Sequence, residues 1–179
     1  MEKKKIIFVL PMLNGGGAER VAVNYMRQID LEKYELFVIV FQESNEISEL
    51  LPQSCQLINL NTKSTKKSFF KLIKVIKNIV PNIVYTTHSR VATLLMLVKP
   101  FVKSFYYIAR MQNTPTLEKK YNNYGIIHRI LYSLGFKSAD VVIAQTQEMK
   151  EDAIKVFGLN EKTIKVMNNP LDKIYINQS

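Results

Sequence analysis

The chain has 179 residues, of which 47% are hydrophobic and 22% are charged, and its formal net charge is +10. This length and composition are typical of a folded globular domain, and they exclude an intrinsically disordered chain and a small disulfide-stapled scaffold. The single cysteine, Cys55, cannot form an internal disulfide, and no apolar run reaches the roughly 18 to 20 residues that a membrane-spanning helix needs.

Apolar, β-branched runs alternate with helix-like segments along the chain. This alternation predicts an α/β protein with a Rossmann-like, doubly wound parallel sheet of about seven strands. We predict strands at residues 5–10, 35–41, 56–60, 83–87, 104–109, 141–144 and 164–167, and helices at residues 18–30, 46–51, 66–80, 90–98, 126–136 and 147–157. In such a sheet the ligand crevice lies beyond the carboxyl ends of the strands, so each loop after a strand is a candidate site.

The first strand-to-helix loop contains half of the six glycines of the chain. Gly15, Gly16 and Gly17 lie together in the stretch PMLNGGGAER, between a buried strand and a predicted helix. Glycine lets the backbone adopt positive φ and lets another molecule approach without meeting a Cβ atom, while the first N–H groups of the helix attract an anion. The loop therefore predicts a phosphate or diphosphate site.

Arg20 is informative about the kind of loop. The GxxxxGK[ST] phosphate loop needs a lysine and a hydroxyl that are missing here, and the GxGxxG dinucleotide pattern would need glycine where Arg20 stands. A cation in the first turn of a helix opposes the helix dipole unless negative charge lies nearby. A bound anion is one source of that charge, and the Glu19 side chain is the other.

These residues resemble the N-terminal domain of family 4 glycosyltransferases, which are retaining enzymes of the GT-B fold that use a nucleotide-activated sugar. GGGAER opens a helix after the first strand, and residues 138–172, SADVVIAQTQEMKEDAIKVFGLNEKTIKVMNNPLD, are similar to the last strand, helix and strand of that domain. The resemblance covers essentially the whole chain in order. It implies that residues 1–170 form the acceptor-side N-terminal domain and that residues 171–179 begin the linker to a second domain.

The resemblance also carries expectations about the reaction. In that family a second Rossmann-like domain holds most of the contacts to the donor nucleotide; we expect this chain to lack that C-terminal domain and to transfer sugar poorly alone. The implied partners are a nucleotide-sugar donor and a glycan or lipid-linked acceptor in surface polysaccharide or glycoconjugate synthesis, with no metal and no cofactor. Gly15 to Gly17 and Arg20 would bind the donor diphosphate.

Two residues that follow predicted strands are the catalytic candidates. His88 follows the strand at 83–87, where histidine can position or polarise a sugar hydroxyl. Gln112 stands at about the place where family members commonly carry a histidine that contacts the transferred sugar. Because glutamine cannot titrate, either its role is positional or the chemistry depends on other groups. A helix cap formed by the Thr, His and Ser run is the alternative for His88.

Glu19, Arg110, Asn113 and Thr146 complete the predicted cleft on the acceptor side. Ordinary loop hydrogen bonds are the alternative for Arg110 and Asn113. Helix capping is the favoured alternative for Thr146, which precedes the helix predicted at 147–157. The histidines and the cysteine lie too far apart in sequence to give a recognisable metal-binding spacing.

The segment KSTKKSFFKLIKVIKN at residues 63–78 predicts an amphipathic, strongly cationic helix. Together with the excess of 25 Lys and Arg over 15 Asp and Glu, its lysines suggest an anionic membrane surface as a partner. These membrane-surface candidates are Lys66, Lys67, Lys71 and Lys74. The alternative is that the apolar face packs on the sheet and the lysines are simply solvated. Nucleic acid is not expected as a partner, because no recognisable binding motif is present.

The N-terminus shows no charged start followed by an apolar stretch and a cleavage site. With the lone cysteine, this predicts a cytoplasmic protein, peripheral on the inner face of the membrane. The leading hypothesis is therefore the N-terminal domain of a glycosyltransferase. The alternative is a non-enzymatic anion-binding or membrane-surface module with a Rossmann-like fold.

Overall fold

The computed structural model describes residues 2–42, 46–62, 65–122 and 125–170, without the side chains of 65–66 and 121–122. The strands of this part of the chain are β1 (Lys4–Leu10), β2 (Tyr34–Val40), β3 (Gln56–Asn59), β4 (Ile83–Thr86), β5 (Tyr106–Arg110), β6 (Val141–Ala144) and β7 (Ile164–Val166). They form one sheet in the order β3-β2-β1-β4-β5-β6-β7, and each neighbouring pair is parallel.

Helices connect the strands and cover both faces of the sheet. They are α1 (Gly17–Arg27), α2 (Thr65–Ile79), α3 (Ser89–Val98), α4 (Pro115–Asn122), α5 (Ile126–Lys137) and α6 (Gln147–Phe157). Single 3₁₀ turns lie at Ser48–Leu50, Lys99–Phe101 and Glu161–Thr163. The prediction of a doubly wound, Rossmann-like parallel sheet is confirmed.

Strand β1 is at the centre of the sheet and is buried on both of its faces. Ile7 and Val9 belong to the core under α2, α3, α5 and α6, whereas Phe8 and Leu10 belong to the core under α1. Because successive side chains of a strand point to opposite faces, a strand covered on both sides needs an unbroken apolar run. The run from Ile6 to Leu10 meets this requirement, which places the glycine loop at the edge of a rigid strand.

The prediction and the structure differ in two segments. The helix predicted at 46–51 is a single 3₁₀ turn at Ser48–Leu50, because Leu51, which precedes Pro52, has an extended backbone that ends the turn. Helix α4 is missing from the prediction because it has only eight residues and a mostly polar sequence. Its first turn is held from outside the helix: the Thr116 N–H and hydroxyl donate to the Asp152 carboxylate of α6, at 2.8 and 2.6 Å.

Gly135 lets α5 pack closely on α3. A Cβ atom at this position would lie 2.7 Å from the backbone nitrogen of Thr93 and 2.9 Å from the carbonyl carbon of Ala92. Gly to Ala in an exposed helix stabilises by up to about 1 kcal/mol. Here the clash with backbone atoms reverses the sign, and we expect Gly135→Ala to lower the free energy of unfolding by about 1 to 3 kcal/mol.

Chemical denaturation followed by circular dichroism checks this prediction. The matched control is Gly17→Ala, because an added Cβ at Gly17 has no neighbour within 4 Å. We expect this control to be as stable as the wild type or slightly more so. Equal free energies of unfolding for Gly135→Ala and Gly17→Ala would contradict the prediction, because they would show that α3 and α5 can move apart without loss of stability.

Candidate functional site

The loops that leave the carboxyl ends of β1, β4, β5 and β6 lie side by side at one edge of the sheet. The chain runs from β1 outward to β2 and β3, and then returns to β4 on the other side of β1. This reversal creates a crevice between the β1 and β4 loops, where open α/β sheets bind their ligands. The polar residues predicted from strand ends are therefore brought to the same edge.

The glycine loop turns into α1 through two different backbone conformations. Gly15 has φ of +74°, in the left-handed region that favours glycine, and the Arg20 Nε donates to its carbonyl at 3.0 Å. Gly16 is extended and forms the N-cap of α1. A Cβ atom at Gly16 would lie 2.4 Å from the Glu19 Oε2 atom, so the loop passes directly beneath the Glu19 carboxylate.

Glu19 is paired with His88 across the crevice. The Glu19 Oε1 atom lies 3.0 Å from His88 Nε2, and the residue is only 6% exposed. The hydrogen bond with His88, helped by the backbone N–H of Glu19 itself, lowers the pKa of this carboxyl, and it outweighs the opposing effect of burial. Glu19 therefore does not serve as the partner of Arg20 but holds the imidazole that follows β4.

His88 is positioned by its strand and by two side chains. Thr86, two residues before His88, is fully buried and donates from its hydroxyl to the Val9 carbonyl at 2.8 Å, which ties β4 to β1. His88 is the N-cap residue of α3, but its side chain makes no capping hydrogen bond. The His88 side chain therefore does not cap α3, and its ring instead bridges Glu19 and Gln112.

Gln112 meets the same ring nitrogen from the β5 side, with its Nε2 atom 3.1 Å from His88 Nε2. Because the ionised Glu19 carboxylate can only accept, the His88 Nε2 atom must carry the hydrogen, and a second group this close to Nε2 must also be a hydrogen-bond acceptor. We therefore expect the amide oxygen of Gln112 to face His88 and its NH₂ group to remain available to a ligand. Gln145 fixes the loop, since its Nε2 donates to the carbonyls of Met111 and Gln112 at 3.0 and 2.8 Å.

A hollow of about 600 Å³ lies on one side of this row of residues. Polar side chains that line it include Asn14, Glu19, Ser68, His88, Ser89, Arg90, Gln112, Asn113 and Glu118. Glu118 of α4 is buried, accepts a short hydrogen bond from the Ser89 hydroxyl, and leaves its Oε2 atom without a partner among the described residues. Burial raises the pKa of this carboxyl. We call this hollow the first hollow.

Glu118→Gln should become more stable relative to the wild type as the pH rises. The folded protein raises the pKa of Glu118 above its ordinary value near 4.5, so the neutral carboxyl is favoured. Its contribution to the free energy of unfolding is fully present below the ordinary pKa and is lost as the pH rises through the raised pKa. Glutamine keeps an oxygen to accept from Ser89 and never ionises. Urea unfolding of both proteins at pH 4 and pH 7 tests this; a difference in stability that does not change with pH would contradict it.

A second hollow of about 340 Å³ lies on the other side of Gln112 and Asn113, which line both hollows. The remaining lining residues come from the start of α1, the end of β5, the β6 loop and the segment after β7: Gly17, Ala18, Val21, Arg110, Gln145 and Asn169. Arg110 is buried, and its guanidinium donates to the Asn169 side-chain oxygen. Gln112 and Asn113 thus separate two hollows of different composition, with His88 on the side of the first.

Two predicted residues or groups lie apart from these hollows. Thr146 is exposed and caps α6, since its hydroxyl oxygen accepts from the Met149 N–H at 3.2 Å, so the capping interpretation is confirmed. Lys67, Lys71 and Lys74 are exposed along α2, and the Lys71 amine donates to the Leu60 carbonyl at 2.5 Å. The Lys66 side chain and the linker at 171–179 lie outside the described residues.

The residues described here include no group of three or more His, Cys, Asp or Glu side chains that could hold a metal ion. The expectation of a metal-independent reaction stays a prediction. Among the helices in the described ranges, none has both the length and the apolar content required to cross a bilayer.

Sequence reasoning missed several residues of the site. Gln145 immediately follows β6, so the rule of inspecting strand ends would have found it. Glu118 could have been found from the Thr114-Pro115 pair, which is a typical helix start, because the Thr114 hydroxyl accepts from the Leu117 N–H at 3.3 Å. The contribution of Asn169 has no local signal, because it depends on the position of the segment after β7.

Comparison with known proteins finds a family model and a curated relative that match most of the chain. The family model described as Glycosyltransferase Family 4 matches residues 15–173. A Campylobacter jejuni protein named N-acetylgalactosamine-N,N'-diacetylbacillosaminyl-diphospho-undecaprenol 4-alpha-N-acetylgalactosaminyltransferase is 23% identical over 187 residues, which cover 98% of this chain and 50% of that protein.

Solved structures share the fold at lower identity. Anabaena HepE in complex with UDP matches with a TM-score of 0.71 and 15% identity, over 94% of this chain and 44% of that one. The lipopolysaccharide outer core galactosyltransferase WaaB matches with a TM-score of 0.70 and 18% identity, over 94% and 46% of the two chains. The chain thus spans about half the length of the relatives it matches.

Proposed function

Because the chain belongs to glycosyltransferase family 4, we propose that it forms the acceptor-side lobe of an enzyme that transfers a sugar from a nucleotide-sugar donor to a glycan or lipid-linked acceptor. The product would be a surface polysaccharide or glycoconjugate. The observation that carries this proposal is the pair of hollows at the carboxyl edge of the sheet, separated by Gln112 and Asn113, with His88 beside Gln112. A transferase needs two substrates to meet at one point, and this arrangement provides a place for each.

The first hollow suits the acceptor sugar. Its polar lining contains the carboxyl groups of Glu19 and Glu118, together with amide and hydroxyl groups. Carboxyl, amide and hydroxyl oxygens accept hydrogen bonds from the hydroxyl and acetamido N–H groups of a sugar, and the Arg90 side chain in the same lining can donate to sugar oxygens. The C. jejuni relative, whose name specifies an undecaprenol-linked glycan, supports an acceptor of the lipid-linked class.

The second hollow suits the donor. It borders the start of α1 at Gly17, where the first N–H groups of a helix favour an anion. Gly15, Gly16 and Arg20 belong to the same loop and keep their proposed role near the donor phosphates. The UDP bound in the structure of the Anabaena relative supports a nucleotide-sugar donor.

The transferred sugar would lie against the boundary between the hollows. In the reaction the bond from the anomeric carbon to the donor diphosphate breaks, a bond to an acceptor hydroxyl oxygen forms, and the hydroxyl proton passes to an oxygen of the departing nucleoside diphosphate. The NH₂ group of Gln112 and the imidazole of His88 would hydrogen-bond the sugar hydroxyls and hold the anomeric carbon close to the donor diphosphate and to an acceptor hydroxyl on the same side of the sugar. We propose retention of the anomeric configuration and no metal requirement, as the family resemblance implies.

The exposed face of α2 would contact an anionic membrane on the cytoplasmic side. Lys67, Lys71 and Lys74 are exposed there, and Phe70 beside them is 60% exposed. Each lysine near an anionic bilayer surface contributes on the order of 1 kcal/mol. Ser68 of the same helix lines the first hollow, so a lipid-linked acceptor would reach the hollow from this side. Sedimentation with anionic and neutral vesicles tests this contact.

A transfer assay tests the proposed function. The full-length protein is incubated with a panel of radiolabelled UDP-sugars and a short polyprenyl-diphosphate-linked sugar, and organic extraction separates the labelled product. We expect label in the lipid phase for at least one donor, and NMR of the new linkage reports its configuration. No transfer and no hydrolysis with any donor would favour the alternative, a non-enzymatic anion-binding module, which the family match does not support.

A further inference from the structure

Arg110 is a buried cation without a carboxylate partner among the described residues. It is 1% exposed, its guanidinium donates to the neutral side-chain oxygen of Asn169, and its Nε–H has no hydrogen-bond partner. Arginine stays protonated in proteins. Among the described residues the guanidinium therefore has neither a counter-charge nor a full set of hydrogen bonds, and because such a buried charge is unfavourable, an anion beside it would be stabilising.

The guanidinium lies beside the start of a helix. Arg110 and Gly17, the first residue of α1, line the same second hollow, and a Cβ at Gly17 would have no neighbour within 4 Å. The N–H groups in the first turn of a helix lack intrahelical partners and carry partial positive charge. The helix start and the buried arginine therefore present donors and positive charge to one open space.

Arg20, the other arginine near the loop, is directed to a different place. Its Nε donates to the Gly15 carbonyl, and its Nη2 atom and the Glu46 Oε2 atom both lie beside Gly15. Arg20 does not line the second hollow. On the opposite side of the loop, the Glu19 carboxylate covers Gly16 and repels anions. These contacts leave the Gly17 side of the loop, next to Arg110, as the place where an anion is favoured.

We propose that Arg110 and the first turn of α1 together bind a diphosphate group in the second hollow. This inference rests on the proposed function in its choice of ligand class, and it transfers the main cationic role from Arg20 to Arg110. A diphosphate with two or three negative charges would accept from the helix N–H groups and be attracted by the positive charge of the Arg110 guanidinium, which lines the same hollow. The diphosphate can come from the nucleotide-sugar donor or from a polyprenyl-diphosphate-linked acceptor.

Calorimetric titration of the full-length protein with inorganic pyrophosphate tests the proposal. The variants are Arg110→Met, which keeps the length of the side chain without its charge, and Arg27→Met as the matched control, because Arg27 is exposed in the last turn of α1 and lines neither hollow. We expect pyrophosphate affinity to fall at least about tenfold in Arg110→Met and to change much less in Arg27→Met. Competition by UDP would identify the donor as the source of the diphosphate, and competition by farnesyl diphosphate would identify the lipid-linked acceptor.

Thermal unfolding separates a binding role from a structural one. Because Arg110→Met removes an uncompensated buried charge, we expect its unfolding temperature without ligand to equal or exceed that of the wild type, and the increase caused by pyrophosphate to be lost. Wild-type pyrophosphate affinity in Arg110→Met, or no pyrophosphate binding by the wild type, would overturn the proposal. Arg110-dependent binding in a protein that turns over no nucleotide sugar would instead leave this site standing and refute the proposed function.

Discussion

Replacing Gly16 with valine is expected to reduce sugar transfer by the full-length protein about 100-fold or more. The added Cβ would lie 2.4 Å from the Glu19 Oε2 atom. The carboxylate cannot turn aside freely, because it is buried and bound to His88 at 3.0 Å. The variant must therefore break the Glu19–His88 pair or shift the first turn of α1, and displacements of about 1 Å at a reacting centre cost on the order of 100-fold in rate.

The control for Gly16→Val is Gly125→Ala. Gly125 also forms the N-cap of a helix, α5, but an added Cβ there has no neighbour within 4 Å and the residue lies outside both hollows. Initial rates of label transfer are measured for both variants and the wild type at equal folded fraction. If Gly16→Val retained the wild-type rate, the loop would have no part in the reaction.

Glu19→Gln is expected to lower kcat/KM for transfer by about 10- to 100-fold. Glutamine has nearly the same shape but offers no charge to His88, so the imidazole and the Gln112 amide lose the group that orients them. A positioning role predicts that His88→Ala is similarly slow and that the double variant is no slower than either single one. Rates of the double variant equal to the product of the two single effects would contradict a shared role.

The same variant should change how stability depends on pH. Because the folded state lowers the pKa of Glu19 below its ordinary value near 4.5, the wild type gains stability above that value and loses it as the pH falls through the lowered pKa. Glu19→Gln lacks this contribution, so its deficit in the free energy of unfolding should be largest near pH 7 and disappear in acid. Urea unfolding from pH 3 to pH 7 measures the deficit, and Glu118→Gln provides the comparison of opposite sign.

Much of the fold could be predicted because parallel strands buried on both faces need unbroken apolar runs. Each strand of the described part of the chain lies within two residues of its predicted ends, and α6 agrees at both ends. Helix α4 escaped prediction because its stability depends on Asp152 of α6, far away in sequence. A local pattern does not report a helix start that is held by another element.

The location of the site could be predicted from the sequence, but the contacts between its side chains could not. The strand-end rule brought His88 and Gln112 to the correct edge, and the glycine stretch marked the correct loop. Sequence spacing could not show that Glu19 turns to His88 instead of Arg20, because that choice is set by the crossing from β1 to β4. Likewise, burial of Arg110 depends on the segment after β7 that carries Asn169.

The most direct test of the central claim is a crystal structure of the full-length protein with a non-hydrolysable nucleotide sugar. The account predicts that the sugar lies within hydrogen-bond distance of Gln112 or His88, with the diphosphate beside Gly17 in the second hollow. A donor bound with its sugar and diphosphate away from the carboxyl edge of this sheet would contradict it.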